Sequence, residues 1–374
     1  MSAILDARRY FFLTFPNEKS SSSSMTRRLT SEQRRIVNMR VTRSDVVKVN
    51  AFAGSGKTTT LVEFAKHRPG KRLLYLVFNV AVREHAESIF PENTVVRSVH
   101  KMAFAKIGRR YAHKLKAELK IPLVLNCLRR RRRDETGISP EFVNLVVNTL
   151  KTFFLSSSKT IDQDHLPNSA RRIVPKVMEC ANFVWSLMKN REDKDLPMTH
   201  NGYLKLYHLS RPKLHQTYDI IMLDEAQDTN EVIRDLVLSQ KCGKVIVGDR
   251  HQGIYSFIGA TDALDRVRAT KTMRLTACFR FHDEIARVAN ALLALNTDET
   301  QRLVGMNTPY NYKSSRIEMG RLRNRSRTYF TQKFFENFIV KYYTITGEDE
   351  FPFWSAQKRK DSKRKHVEPY AVIA

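Results

Sequence analysis

A chain of 374 residues, 42% of them apolar, is long enough for two domains, or for one domain with a large insertion, and most of it should fold. Its 65 Lys+Arg against 38 Asp+Glu leave a formal charge of +27, far beyond what solubility requires, which points to a polyanionic partner. No apolar run approaches the ~20 residues of a membrane helix, so no membrane partner is expected. The four cysteines (Cys127, Cys180, Cys242, Cys278) are too widely spaced for a metal site and read as reduced thiols.

Residues 1–25 end in a serine run, Ser20 to Ser24, and read as a disordered tail. The apolar core there is too short for a signal peptide and Asp6 interrupts it, although its Arg and Ser content leaves a mitochondrial presequence open. Thr30 or Ser31 caps a helix. Val46 to Val49 is a β-branched strand, the glycine-rich AFAGSGKTTTL (Ala51 to Leu61) follows it, and a helix begins at once. Lys71 to Asn79 is a continuous apolar run of the kind buried parallel strands show. A helix over Val80 to Phe90 and a third strand over Thr94 to Ser98, leading to His100, complete an alternation that predicts a parallel, doubly wound sheet.

From 105 to 199 the periodicity turns helical, in Phe142 to Phe154 and Ile173 to Met188, and strand signals vanish. This stretch reads as a helical insertion between two parts of one α/β domain, 26–104 and 200–285. It carries five consecutive arginines, Arg129 to Arg133. Such a run reads as a solvated loop, a nuclear localisation signal or a phosphate-contact patch. Strands return at Tyr218 to Asp228 and Gly243 to Gln252, with another over Thr272 to Thr276. Beyond 285 the alternation fades, and 286–374 reads as part of a second domain with a basic tail, Lys358 to Lys365.

Strand, glycine-rich turn and helix form the context that a phosphate-binding loop needs. Gly54 and Gly56 lack Cβ, so backbone N–H groups can close on phosphate oxygens. Lys57 supplies a point charge to the β and γ phosphates, and Thr58 offers a hydroxyl to Mg²⁺. Ala53, Gly54, Ser55, Gly56, Lys57, Thr58 and Thr59 are therefore the predicted ATP-contacting run. Ala51 stands where G-x-x-x-x-G-K-[ST] has its first glycine. In IIMLDEAQD four apolar residues push Asp224 and Glu225 to the carboxyl end of a strand, where open α/β sheets bind ligands. Asp224 would hold Mg²⁺, and Glu225 would orient and deprotonate the water that attacks the γ-phosphate. In VGDRHQGIYSFIGA, Asp249 and Gln252 can reach the γ-phosphate side. Tyr255 and Phe257 there are candidates for base stacking or for the core.

AFAGSGKT, DEAQD, GDRHQ-x-IY-x-F-x-GA and LTACFR, taken in order, resemble the motifs of UvrD/Rep-like superfamily 1 DNA helicases over residues 28–290. Within that group VNAFAGSGKT and MTHNGYLKLYHLS are most similar to the eukaryotic F-box branch. The resemblance implies a RecA-like P-loop NTPase fold and an ATP- and Mg²⁺-dependent helicase. Such an enzyme would move 3′→5′ on single-stranded or tailed duplex DNA, alongside repair or recombination partners in the nucleus. It implies an adenine-reading glutamine at Gln33, DNA contacts at Phe78, Ser98 and His100, nucleotide-to-DNA coupling by Gln252, and a γ-phosphate arginine at Arg280. Departures are Val80 where the family has Lys after Asn79, and Cys278 where it has Asn or Ser. No later G-x-E-based or Q-x-x-R-type motif is found, so the expectation is the front half of a motor. The alternative is a module that binds ATP and single-stranded DNA without unwinding.

Overall fold

The computed structural model describes residues 28–77, 80–132, 138–170, 173–252, 264, 266–296 and 299–306. In chain order its strands are β1 (Val46–Ala51), β2 (Leu73–Val77), β3 (Thr94–Ser98), β4 (Leu115–Lys116), β5 (Met198–Thr199), β6 (Ile220–Leu223), β7 (Gly243–Gly248), β8 (Lys271–Leu275), β9 (Ala277–Cys278) and β10 (Val304–Gly305). Its α-helices are α1 (Ser31–Asn38), α2 (Lys57–Lys66), α3 (Val80–Ile89), α4 (Val99–Lys106), α5 (Ile121–Arg131), α6 (Pro140–Leu155), α7 (Val174–Lys189), α8 (His200–Leu209), α9 (Glu231–Leu238) and α10 (Asp283–Asn296).

Six strands form one parallel sheet in the order β3-β2-β6-β7-β1-β8. Successive side chains of a strand point to opposite faces, and here both faces are covered. Leu74, Leu76, Ile221, Leu223 and Ile246 join one core cluster, whereas Leu73, Tyr75, Val77, Ile220, Met222, Val245 and Val247 join another. Burial on both sides is what makes the strands read as unbroken apolar runs rather than alternating ones.

The helices between β3 and β6 share the first of these cores with the sheet, so no break in packing separates them from it. The strand signals predicted to vanish there return once: Leu115 pairs with Met198 and Lys116 with Thr199, a parallel two-residue ladder at the base of the helical segment. So short a ladder leaves no periodicity to read. The third strand covers Thr94–Ser98, the predicted residues, and the Ser98 hydroxyl then caps α4 by accepting the Lys101 N–H at 3.3 Å. Thr30 caps α1, and Gln33 closes the capping box.

The arginine run is a second correction. Arg129, Arg130 and Arg131 form the last turn of α5 rather than a loop, and although they stay exposed they are paired. Arg131 meets Asp193 at 2.6 Å and Asp195 at 2.5 Å, Arg130 also pairs with Asp195, Arg132 pairs with Glu179, and Arg129 donates to the Ile138 carbonyl. Arg133 lies outside the described residues, as does the basic stretch 358–365. Among the described residues no helix is long and apolar enough to cross a membrane.

Candidate nucleotide and nucleic-acid site

The phosphate-loop segment leaves β1 at the carboxyl edge of the sheet and enters α2. Gly54 and Gly56 both take left-handed backbone, φ +68° and +75°, which glycine adopts without steric cost. Gly56 is the N-cap of α2 and offers no side chain to the helix's first N–H groups, leaving them and the positive end of the dipole open to an anion. The Ser55 hydroxyl is buried in the loop without a hydrogen-bond partner among the described residues. Thr60 donates back to the Gly56 carbonyl at 2.8 Å and pins the turn.

Across from the loop, β6 delivers the acidic pair. Thr58 Oγ1 lies 3.5 Å from Asp224 Oδ2, and Lys57 Nζ lies 3.5 Å from Glu225 Oε2. Asp224 is buried, and its carboxyl is pushed up by that burial and by neighbouring Glu225. Two donors hold it in opposition: the Tyr75 hydroxyl at 2.5 Å on Oδ2 and the Glu225 N–H at 2.9 Å on Oδ1. Glu225 has left-handed backbone, φ +50°, uncommon for a residue with a Cβ, and this turns it off the strand toward the loop. Thr58 and Asp224 supply two oxygens at one point. That suits Mg²⁺, which keeps several waters and substrate phosphates and needs few protein ligands. With the open helix end and the orphaned Ser55 hydroxyl, these residues fit a nucleotide phosphate chain with its metal.

Gln227 joins this pair to the strand beside it. Its amide N–H donates to Glu225 Oε2 at 2.7 Å, and its oxygen accepts the Asp249 N–H at 3.0 Å. Asp249 is buried, which raises its carboxyl, and it accepts the His251 N–H at 3.0 Å. Gln252 ends the short 3-10 turn after β7, half-buried. The His251 ring stacks on Phe52 with centroids 5.8 Å apart and contacts Glu299 at 3.0 Å.

After β8 the chain crosses the loop a second time. The Phe279 N–H donates to the Gly54 carbonyl at 2.9 Å. A Cβ on Gly54 would come 2.7 Å from Arg280 Cγ and 2.9 Å from Cys278 Sγ, so the Arg280 stem lies directly over the loop. A Cβ on Gly56 would meet Gln33 Nε2 at 2.8 Å and the Phe279 ring at 3.5 Å. Gln33 is itself buried, its carbonyl accepting the Thr30 N–H at 2.9 Å. The structure thus brings Gln33, Lys57, Thr58, Asp224, Glu225 and Arg280 to one place.

Residues 29–264 match the UvrD/REP helicase N-terminal domain. The chain belongs to that family. It is similar to F-box DNA helicase 1 of Gallus gallus, 37% identical over 329 residues, which cover 83% of this chain and 32% of the relative. It is similar as well to F-box DNA helicase protein 1 of Schizosaccharomyces pombe, 34% identical over 311 residues, 78% of this chain and 35% of that one. A more distant likeness, 24% over 296 residues, is to the mitochondrial ATP-dependent DNA helicase HMI1 of Saccharomyces cerevisiae, covering 71% of this chain and 40% of the relative. The chain spans about a third of the length of the two F-box relatives.

In this UvrD/REP helicase chain the fold is the RecA-like α/β sheet. The nucleic-acid residues are less gathered than the nucleotide ones. Ser98 is buried and used as a helix cap. His100 is half-buried, lining a small cavity with Val77, Leu223, Thr229 and Ile233, and burial holds its imidazole below the usual range. Phe78, Tyr255 and Phe257 lie outside the described residues. Besides Gln227, two residues at the site escape a reading of the sequence. Phe279 keeps 39% of its surface exposed beside Gly56 and Gln33, and its one signal is to be the aromatic directly before Arg280. Tyr75 gives no signal, since a tyrosine inside an apolar strand reads as core.

Proposed function

We propose that this chain is the ATP-binding part of an ATP-dependent DNA helicase that hydrolyses ATP to move 3′→5′ along single-stranded DNA. The observation that carries the reading is the meeting of Lys57 with Glu225 and of Thr58 with Asp224, both at 3.5 Å, under the Arg280 stem at an open helix N-terminus. Lys57 and the α2 N–H groups hold the phosphate chain. Thr58 and Asp224 would hold the Mg²⁺ that comes with ATP, which would supply charge neutralisation on the transferring phosphoryl group. Glu225 orients the attacking water and takes its proton, and Arg280 steadies the charge that develops on the γ-phosphate oxygens. Gln33 reads the adenine edge, with exposed Phe279 as a platform for the ring.

The charge of +27 supports a nucleic-acid substrate, the named helicase relatives make it DNA, and the polarity follows the rule of the resembled family. Work in DNA repair or recombination, inside the nucleus, completes the proposal and rests on that resemblance and the basic stretch 358–365. A second reading, an ATP- and DNA-binding module that does not translocate, is favoured by the single arginine, Arg280, that lies over the phosphate loop among the described residues.

Lys57→Ala should lose most ATP affinity, measured with a fluorescent ATP analogue, because the substitution removes the ammonium at the start of α2 that contacts the β and γ phosphates. Glu225→Gln should keep that affinity and stop turnover, since a carboxamide cannot take the proton. Equal ATP binding by wild type and Lys57→Ala would refute the site assignment. Steady DNA-stimulated turnover favours the motor, and binding without turnover favours the module.

A further inference from the structure

In a sheet whose strands all run parallel, every loop that precedes a strand lies on one edge, opposite the nucleotide site. Here those loops are contiguous. Lys271, at the start of β8, donates to the Arg40 carbonyl at 2.9 Å. Gly243, at the start of β7, packs so closely on the loop before β1 that a Cβ there would meet Val41 Cγ1 at 2.7 Å and the Thr42 carbonyl at 2.9 Å. The loops before β2 and β6 are joined by Arg72 and Asp219, whose backbone bond is 2.8 Å.

This edge exposes Arg40, Arg43, Lys71, Arg72, Lys241 and Arg268. None of the six has a carboxylate partner among the described residues. The acids in the same loops are mostly occupied. Asp45 is buried and takes Thr42, Thr270 and Lys271, and Asp219 accepts the Arg72 N–H at 2.9 Å, leaving Glu92 exposed. The cations span the starts of five neighbouring strands, about 20 Å at ~4.8 Å per strand. That matches roughly six phosphates of one DNA strand at ~3.4 Å each. The exposed large apolar residues, Leu123, Ile173, Phe279, Val304 and Met306, all lie elsewhere. Grooves that grip single strands combine cations with stacking rings. An edge rich in cations, with no fully exposed aromatic ring among the described residues and Tyr218 half-buried before β6, suits a duplex, whose bases are already stacked.

We propose that the amino-terminal edge of the sheet is a second DNA-binding surface, gripping the phosphodiester backbone of duplex DNA without regard to sequence. It rests on the reading that the chain acts on DNA, and it places the duplex on the end of the domain away from the ATP site.

The test is fluorescence anisotropy of the full chain with a blunt-ended DNA duplex and, in parallel, a single strand, across a salt series. The Arg40→Gln/Arg43→Gln/Lys71→Gln/Arg72→Gln variant should bind duplex at least about tenfold more weakly at low salt. Its slope of log Kd against log salt should fall by about 2–4, at ~0.9 for each phosphate that is no longer neutralised. ATP-analogue binding should stay unchanged, which shows that the variant is folded, and Arg43→Gln/Lys71→Gln should give an intermediate slope. A control removing the same charge from the helical segment (Lys116, Lys120, Lys151 and Lys159, all exposed) should leave duplex binding within about twofold. Unchanged slope and affinity in the quadruple variant, or an equal loss in the control, overturns the edge as a site. A wild type that binds neither duplex nor single strand overturns the DNA reading itself.

Discussion

Tyr75 sits fully buried in the middle of β2, its ring against Phe90 at 4.3 Å and its hydroxyl on Asp224. Phenylalanine would keep the ring packing and remove the donor, leaving Asp224 Oδ2 in the interior with only the distant Thr58 hydroxyl. Tyr75→Phe should therefore fold, lose about 1–3 kcal/mol in a denaturant melt, and need several-fold more Mg²⁺ to reach half-maximal ATP-analogue binding. An unchanged Mg²⁺ midpoint would make the hydroxyl structural alone. Asp45 answers to pH. Donation from the Thr42 N–H, then the Thr42 hydroxyl and Lys271, holds its carboxyl well below the usual carboxylate range. Folded Asp45 thus gives up its proton more readily than unfolded Asp45, so its stabilisation is complete above roughly pH 4 and lost as pH falls below that. Thermal melts from pH 6 to 2 should bring wild type toward Asp45→Asn as the acid end is approached; a constant gap would refute this. At this scale the sequence discloses Lys57, Thr58, Asp224 and Glu225 because glycine spacing and an acidic strand end are local patterns. Tyr75 acts on Asp224 from a strand 149 residues away and Gln227 ties Glu225 to Asp249 on the next strand, and local spacing carries no trace of either.

Among elements, the sheet strands are legible because burial on both faces leaves runs such as Leu73 to Val77 with no polar interruption. The arginine run misleads for the converse reason: its partners Asp193 and Asp195 lie some sixty residues on, so in sequence the charges look unmatched. A similar long-range device ends α6. Buried Lys205 of α8 donates to the Ser156 and Ser158 carbonyls at 2.7 and 2.6 Å and lies 4.2 Å from the Phe153 ring centroid. Burial brings its ammonium down to about 8. Lys205→Met fills nearly the same space but leaves both carbonyls without their donor. It should cost about 1–3 kcal/mol, read from a urea melt with an unchanged m-value. A loss below a few tenths of that range would mean water replaces the ammonium.

For the whole molecule, one arginine, Arg280, lies over the phosphate loop among the described residues, and each such arginine carries on the order of 10³–10⁵ in phosphoryl-transfer rate. The 374-residue polypeptide should bind ATP with Mg²⁺ and single-stranded DNA, hydrolyse ATP slowly, and fail to displace a strand from a 3′-tailed duplex. ATP-dependent displacement by the monomer would contradict this. The order of strands also bears on how the molecule is made. β1, which delivers the phosphate loop, is synthesised well before β7 and β8, yet Val46 pairs with Lys244 and Val47 with Lys271. Contacts so distant along the chain slow folding and leave edges open in the interim. A ribosome that has translated the glycine-rich loop therefore holds a nascent chain without a nucleotide site, and that chain gains one only after β8 has emerged from the exit tunnel.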